Sequence, residues 1–407
     1  MNVLFLSPGY PDEMSHYVRG LAEVGARVFG VGDHSQDSLP EETRAALTAY
    51  VQVPGIMDEG AVMDRVLSEI GRHGVNIDRV ETLWEPLMLL GARLRERLGV
   101  PGMSVEQTVP FRDKEIMKQV LDRAGIRTPR HARCRTKDEI WAAAEMVGFP
   151  LIVKPIDGAG SADTHRVDDP EQLDHVVMLV THVPEVSVEE FIEGEEFTFD
   201  TICGDGHVHH YNMGWYRPRP LVARTVEWMD SQTICLADVD DPFVAGGRKM
   251  GFEVLDALGF QTGFTHMEWF GKADGEVVFG EIAARPPGAR MSNIINFAAD
   301  FDCYRGWAEA VCYGSFSQPT ARRYNSAMIF KRARGQGRIQ EIRGMDRWLR
   351  QYGEHVCHVE MLPVGAQRRN WKATLLSDGH VMVRHPDLQA TLQICDAFGT
   401  DVTILAE

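Results

Sequence analysis

The sequence predicts a chain of α/β and α+β units: an N-terminal parallel α/β sheet domain, a small α+β unit, and a C-terminal α+β domain with an antiparallel sheet. Three observations point there. Short apolar runs alternate with helical segments through the first hundred or so residues, as in strands joined by crossover helices. A compact strand–helix–strand succession of roughly sixty residues follows, and adjacent strands and a hairpin come after it.

In order, Asn2–Ser7 reads as a short buried strand, Pro11–Val24 carries helical spacing, and Arg27–Gly32 is a second strand before a polar loop to Pro40. A helix near Glu59–Arg72, a strand at Arg79–Trp84 and a helix at Pro86–Leu98 continue the pattern. Arg112–Ala124 is a helix stopped by Gly125, and Thr128-Pro129 opens the next unit. That unit has helices at Lys137–Val147 and Pro170–Val180 around a strand at Leu151–Lys154. Strands near Glu196–Cys203 and His207–Met213, a helix around Phe243–Leu258 and a hairpin over Phe264–Ala284 follow. After about Ser317 a basic, strand-rich tail is expected, with turns at Arg334–Gly337 and Leu376–Gly379.

Composition narrows the function. The chain has 407 residues, 44% hydrophobic and 25% charged, an ordinary globular balance spread over more than one core. It has no apolar run long enough to span a bilayer, so no membrane role is expected. The opening MNVLFLSPGYPDEM is expected to be a strand rather than a leader. The seven cysteines are scattered with no C-x-x-C pair, which favours free thiols, a reducing compartment and a cytoplasmic location. A net charge of −17 disfavours nucleic acid as a partner. No G-x-G-x-x-G follows the first strand, so a dehydrogenase is disfavoured.

Three segments carry chemistry. In HMEWFGKADGEVVFGEIAARPPG, Asp274-Gly275 is expected to close a two-residue hairpin turn with Ala273 facing Glu276. Glu268 then faces Glu281 on one side of the hairpin, among Phe270, Val277 and Phe279. Two apposed carboxylates repel, and a divalent cation relieves the conflict. An ordinary hairpin with exposed glutamates, or one shifted by a bulge, is the alternative. In PLIVKPIDGAGSADTHRV, Lys154 ends an apolar strand before Gly158, Ala159, Gly160 and Ser161, whose backbone N–H groups can wrap phosphate. It is not a P-loop, and a lysine beside a glycine turn is the plainer reading. In SVEEFIEGEEFTFD, an apolar strand runs into Glu189, Glu190, Glu193, Glu195 and Glu196, either a solvated acidic turn or a nucleotide-binding edge.

In this order, the segments resemble the ATP-grasp superfamily of carboxylate–amine ligases, and in particular its L-amino-acid ligases. The resemblance rests on Asp113-Lys114, Gly125–Pro129, Val153-Lys154-Pro155, Gly158–Ser161, Glu189–Glu196, Glu268, and Glu281-Ile-Ala-Ala-Arg285-Pro-Pro-Gly288. It covers about residues 1–310, with the tail similar to a C-terminal lobe of those ligases. It implies four units: a Rossmann-like domain (1–110), a linker helix and ATP lid (111–192), a catalytic domain (193–320) and a strand-rich lobe (321–407).

The resemblance further implies roles. Lys114 and Lys154 contact the α- and β-phosphates of ATP, and Gly158–Ser161 closes over the γ-phosphate. Glu189, with backbone at Glu190 and Ile192, forms the adenine hinge, and Glu196 takes the ribose. Glu268 and Glu281 hold Mg²⁺, or Mn²⁺ in its place, and Arg285 steadies the acyl phosphate. Many members carry Asn two residues after the second metal glutamate; here Ala283 stands there, which implies a more loosely held second ion. The implied partners are a small carboxylate and an amine, and related ligases are often homodimers.

The substrate end is read from residues alone. Gly214–Asp230 mixes Trp215, Tyr216 and Trp228 with Arg217, Arg219 and Arg224, and Trp215 and Arg217 are candidates for substrate contact, the alternative being a surface loop. His266 is a second candidate, or else a satisfied core histidine, and Arg290 a third. His207, His209 and His210 lack an adjacent acid or cysteine and read as a hairpin rather than a metal site. Competing functions are a biotin-carboxylase-like enzyme that makes carboxyphosphate from bicarbonate, and an ATP-binding module without chemistry.

Overall fold

The computed structural model describes residues 1–157, 163–372, 374 and 376–407. The first sheet is parallel, with strands β1 (Asn2–Leu6), β2 (Arg27–Gly32), β3 (Leu47–Gln52) and β4 (Arg79–Glu81) in the order β3-β2-β1-β4. Its central strands are apolar on both sides because helices cover both faces. Edge strand β3 was not expected: its LTAYVQ is half-exposed and carries no buried apolar run to betray it.

The second sheet is antiparallel: β5 (His131–Cys134), β6 (Leu151–Pro155), β7 (His165–Val167) and β8 (Val186–Glu190), ordered β5-β8-β6-β7. Helices Lys137–Val147 and Pro170–Leu179 cover one face, their starts fixed by Thr136 in a capping box with Glu139 and by Asp169. Strand alternation sends Leu151, Val153, Val186 and Val188 into that core. It sends Ile152, Lys154 and Glu189 the other way, into a cleft.

The third sheet has eight strands: β9 (Glu195–Gly204), β10 (His207–Arg217), β11 (Gln232–Cys235), β12 (Gly263–Gly271), β13 (Val277–Ala283) and β14 (Asn325–Lys331). After β15 (Arg334–Gly335) and β16 (Ile339–Arg343) begin a separate short sheet, β17 (Val356–Met361) and β18 (Gly379–His385) complete the large one. Its order is β13-β12-β9-β10-β11-β14-β18-β17, and β19 (Thr403–Ala406) pairs between β15 and β16. Strands on either side of position 320 therefore share one sheet. The tail also holds two helices, Met345–Tyr352 and Leu388–Asp401, the latter burying Ile394, Cys395 and Phe398.

On one face of this sheet Phe197, Phe199, Met267 and Trp269 meet helix Pro242–Leu258. Gly247 and Gly251 of that helix let the aromatic rings approach: a Cβ at Gly247 would lie 2.1 Å from Trp269 and one at Gly251 2.4 Å from Phe199. The alternate residues Glu196, His266, Glu268 and Phe270 point to the opposite face, which is the cleft.

Candidate active site

The cleft lies between the small sheet and the large one, and the lining includes Lys114, Lys154, Glu189, Glu196, Glu268, Glu281 and Arg285. Glu268 and Glu281 are direct cross-strand partners, as the sequence suggests, though by a different route. The hairpin loop is one residue longer than expected: Lys272 N–H donates to the Glu276 carbonyl (2.9 Å) and Gly275, at φ 87°, takes the left-handed position. Trp269, Phe270 and Gly271 accordingly pair with Phe279, Val278 and Val277. A bulge at Gly280 then inserts one residue and returns Glu281 opposite Glu268. The bulge also corrects the facing: Val277 and Phe279 pack into the core on the far side, while Phe270 stays on the glutamates' side.

Gly280 is required for that geometry. A Cβ there would sit 2.8 Å from the Glu268 carbonyl oxygen, a backbone atom with little freedom to move. Gly280→Ala is expected to displace the bulge, costing about 1–3 kcal/mol of stability and a larger share of activity. Thermal denaturation and ATP turnover measured on the same preparation check this.

Cations face the two glutamates. Helix Lys114–Arg123 is capped by Asp113, whose carboxylate accepts from Glu115 N and Ile116 N, and this places Lys114 and Lys118 one turn apart on one face. Lys114 Nζ lies 3.5 Å and Lys154 Nζ 3.9 Å from Glu281 Oε2. Burial raises the Glu281 carboxyl, but Lys114, Lys154 and Lys118 outweigh it and hold the group well below the usual carboxylate range. Glu189 is buried between Lys118 (2.7 Å) and Lys154 (2.9 Å), one lysine on each oxygen. Both lysines pull its carboxyl far down against the effect of burial. Lys118 is also lowered from its ordinary value, because burial, together with the neighbouring Lys154 and Lys114, outweighs its attraction to Glu189.

At the other end, Glu196 is buried and raised to about 8, first by burial and then by Glu268, while Arg219 opposes the rise from 3.1 Å. Arg219 also donates to the Ile192 carbonyl (2.7 Å) and lies over the Phe191 and Phe270 rings. Glu190 turns outward to Arg127 and Arg130. Arg285 donates from Nε to Glu85 Oε2 (2.8 Å), and the same carboxylate pairs with Arg112. His266 is locked by Asp200 (2.6 Å) and lies 3.6 Å from Glu268. Burial opposes its protonation, but Asp200 prevails and lifts it to about 9. Tyr216 O–H donates to Glu268 (3.4 Å). Ala283 pairs with His266 across the strands, and its methyl side chain offers no ligand oxygen.

The cleft does not gather every candidate. Trp215 faces away from it, donating to Glu195 (3.0 Å) and stacking on Phe197. Arg217 pairs with Gln232 and Asp396. Tyr216, between them, is the residue of β10 that reaches the cleft. Arg290 begins helix Met291–Ala299 in a left-handed conformation and pairs with Glu360. Residues 158–161 lie outside the described residues. Lys118, Glu85 and Asp200 were not singled out from sequence, and Arg219 only as part of the arginine-rich run 214–230; the i,i+4 spacing of Lys118 from Lys114 was the available signal.

Residues 120–300 match the family model described as D-ala D-ala ligase C-terminus. A crystal structure of an L-amino acid ligase from Bacillus licheniformis superposes with a TM-score of 0.78, covering 100% of this chain and 98% of that one at 21% identity. The chain has the ATP-grasp fold and is similar to an L-amino acid ligase. Another ATP-grasp structure, phosphoribosylglycinamide synthetase from Anaerococcus prevotii, gives a TM-score of 0.70 over 100% of this chain and 99% of that one, at 16% identity. Among curated relatives, the L-arginine-specific L-amino acid ligase of Bacillus subtilis is 28% identical over 60% of this chain and 60% of its own length. The alanine–anticapsin ligase of Bacillus subtilis is 25% identical over 63% of this chain and 58% of its own. The ATP-grasp chain thus spans about three-fifths of the length of the curated relatives it matches. No helix among its described residues is long and apolar enough to cross a membrane.

Proposed function

We propose that the chain is an ATP-dependent, ADP-forming ligase that activates a small carboxylate, an amino acid or organic acid, as an acyl phosphate and joins it to an amine. The observation that carries this is the apposition of Glu268 and Glu281 across β12 and β13, facing Lys114 and Lys154. Two paired carboxylate donors suit Mg²⁺, or Mn²⁺, and the neighbouring His266 imidazole, held protonated by Asp200, does not compete as a ligand. Glu268 and Glu281 would hold the ion, whose charge would offset that of the nucleotide phosphates.

The chain's own residues do the remainder. Lys114 and Lys154 supply positive charge at the phosphates, and Glu189 with Lys118 fixes where Lys154 points. Arg285, held by Glu85, aims a guanidinium at the oxygens on which charge develops. His266, Tyr216 and Asp200 orient Glu268. Arg219 holds Glu196 at the site assigned to the ribose. The unbridged cysteines, all but Cys357 buried, support a reducing, cytoplasmic setting.

The test is hydroxamate formation with Mg²⁺-ATP and hydroxylamine across a panel of amino acids and small organic acids, since hydroxylamine intercepts acyl phosphates. Signal with a particular acid is the expected outcome and names half of the substrate pair. ATP binding without hydroxamate or ADP across the panel would instead favour a non-catalytic nucleotide module.

A further inference from the structure

Strands β17 and β18 bring together three side chains that the cleft does not use. His358 and Glu360 are two apart on β17 and so share a face, and His380 of β18 stands directly opposite Glu360. One donor atom from each lies within 4.8 Å of the others. His380 is fully buried, yet neither Nδ1 nor Nε2 has a hydrogen-bond partner. A buried imidazole with both nitrogens unpaired costs stability unless something else takes the lone pair.

We propose that His358, Glu360 and His380 form a binding site for a divalent transition-metal ion, with zinc the first candidate. Two imidazoles and a carboxylate are a donor set zinc accepts, with a fourth position open, whereas imidazole donors disfavour Mg²⁺. Bonds of about 2.0–2.2 Å place donors roughly 3.4 Å apart, so the side chains close by about an ångström around the ion. His358 is exposed and free to make that movement. Arg290 pairs with Glu360, and Arg369 Nη2 lies 3.7 Å from Glu360 Oε1. These guanidiniums compete with the ion for the carboxylate, which sets the affinity below that of a dedicated structural zinc site. Arg290 is flanked by Ala289 and Met291, both in the wall of the cleft, so an ion that draws Glu360 away from Arg290 acts next to the substrate region.

The experiment is a zinc titration of the full chain, stripped with chelator, in competition with a chromophoric chelator, with Co²⁺ absorption as a second readout. Wild type and Glu281→Gln are expected to bind one ion with equal affinity and to give the visible Co²⁺ bands of a low-coordinate nitrogen–oxygen site. His358→Ala, at an exposed position that leaves the fold intact, is expected to weaken that binding about tenfold or more and to erase the bands. Unchanged zinc affinity in His358→Ala overturns the proposal, as does zinc binding that Glu281→Gln alone abolishes.

Discussion

Glu281→Gln is expected to slow ATP-dependent ADP release by on the order of 10³-fold, roughly 4 kcal/mol of lost transition-state stabilisation. The substitution keeps the shape and removes the charge. Glu281 faces Glu268 across the hairpin and lies 3.5 Å from Lys114 and 3.9 Å from Lys154. A neutral amide leaves one carboxylate where the chemistry calls for two. Stability is expected to change little, because the repulsion from Glu268 disappears together with the attraction to the lysines. Coupled ADP detection and thermal denaturation on the same preparation separate the two effects. Turnover at the wild-type level would remove Glu281 from the catalytic machinery.

The second large effect is expected at Lys118, a residue that touches no substrate in this scheme. Its ammonium is fully buried and meets Glu189 at 2.7 Å. Removing one member of a buried ion pair leaves the other charge uncompensated, which costs about 3–5 kcal/mol. In Lys118→Met, Lys154 remains 2.9 Å from Glu189 and relieves part of this, so the lower half of the range is expected. The same change pulls Lys154 toward Glu189 and away from the phosphate position, and ATP affinity should fall with stability. Urea denaturation followed by tryptophan fluorescence, together with nucleotide titration, reads both quantities. A loss of under about 1 kcal/mol with unchanged ATP affinity would show that Lys118 is dispensable.

Much of the site was legible because it depends on local pattern. Alternation along β6 and β12 already separates Lys154 from Leu151 and Val153, and Glu268 from Met267 and Trp269. The hairpin shows how far such reasoning reaches. The pairing of Glu268 with Glu281 was correct, but the turn is longer than expected and a bulge at Gly280 compensates. Two errors of one residue cancelled at the glutamates and left their mark on Val277 and Phe279, which point the other way. The misplacement of Trp215 and Arg217 has a similar origin. The arginine- and aromatic-rich run looked like one loop, whereas residues through Arg217 are a strand, and a strand offers alternate residues to opposite faces.

The sequence by itself determined most of the strands and helices up to the hairpin at Ala284, edge strand β3 and strand β11 excepted, and the identity and order of most of the charged residues of the cleft. These follow from periodicities of two and 3.6 residues and from turn chemistry, which act over a few neighbours. Only the tertiary structure decided which charges pair. Lys118 meets Glu189 across 71 residues of chain, and Arg285 meets Glu85 across 200. A local pattern cannot specify such partners, because their meeting depends on how separately formed sheets close on one another. Burial then makes each pairing obligatory, since a charge withdrawn from water must find its counter-charge within the fold.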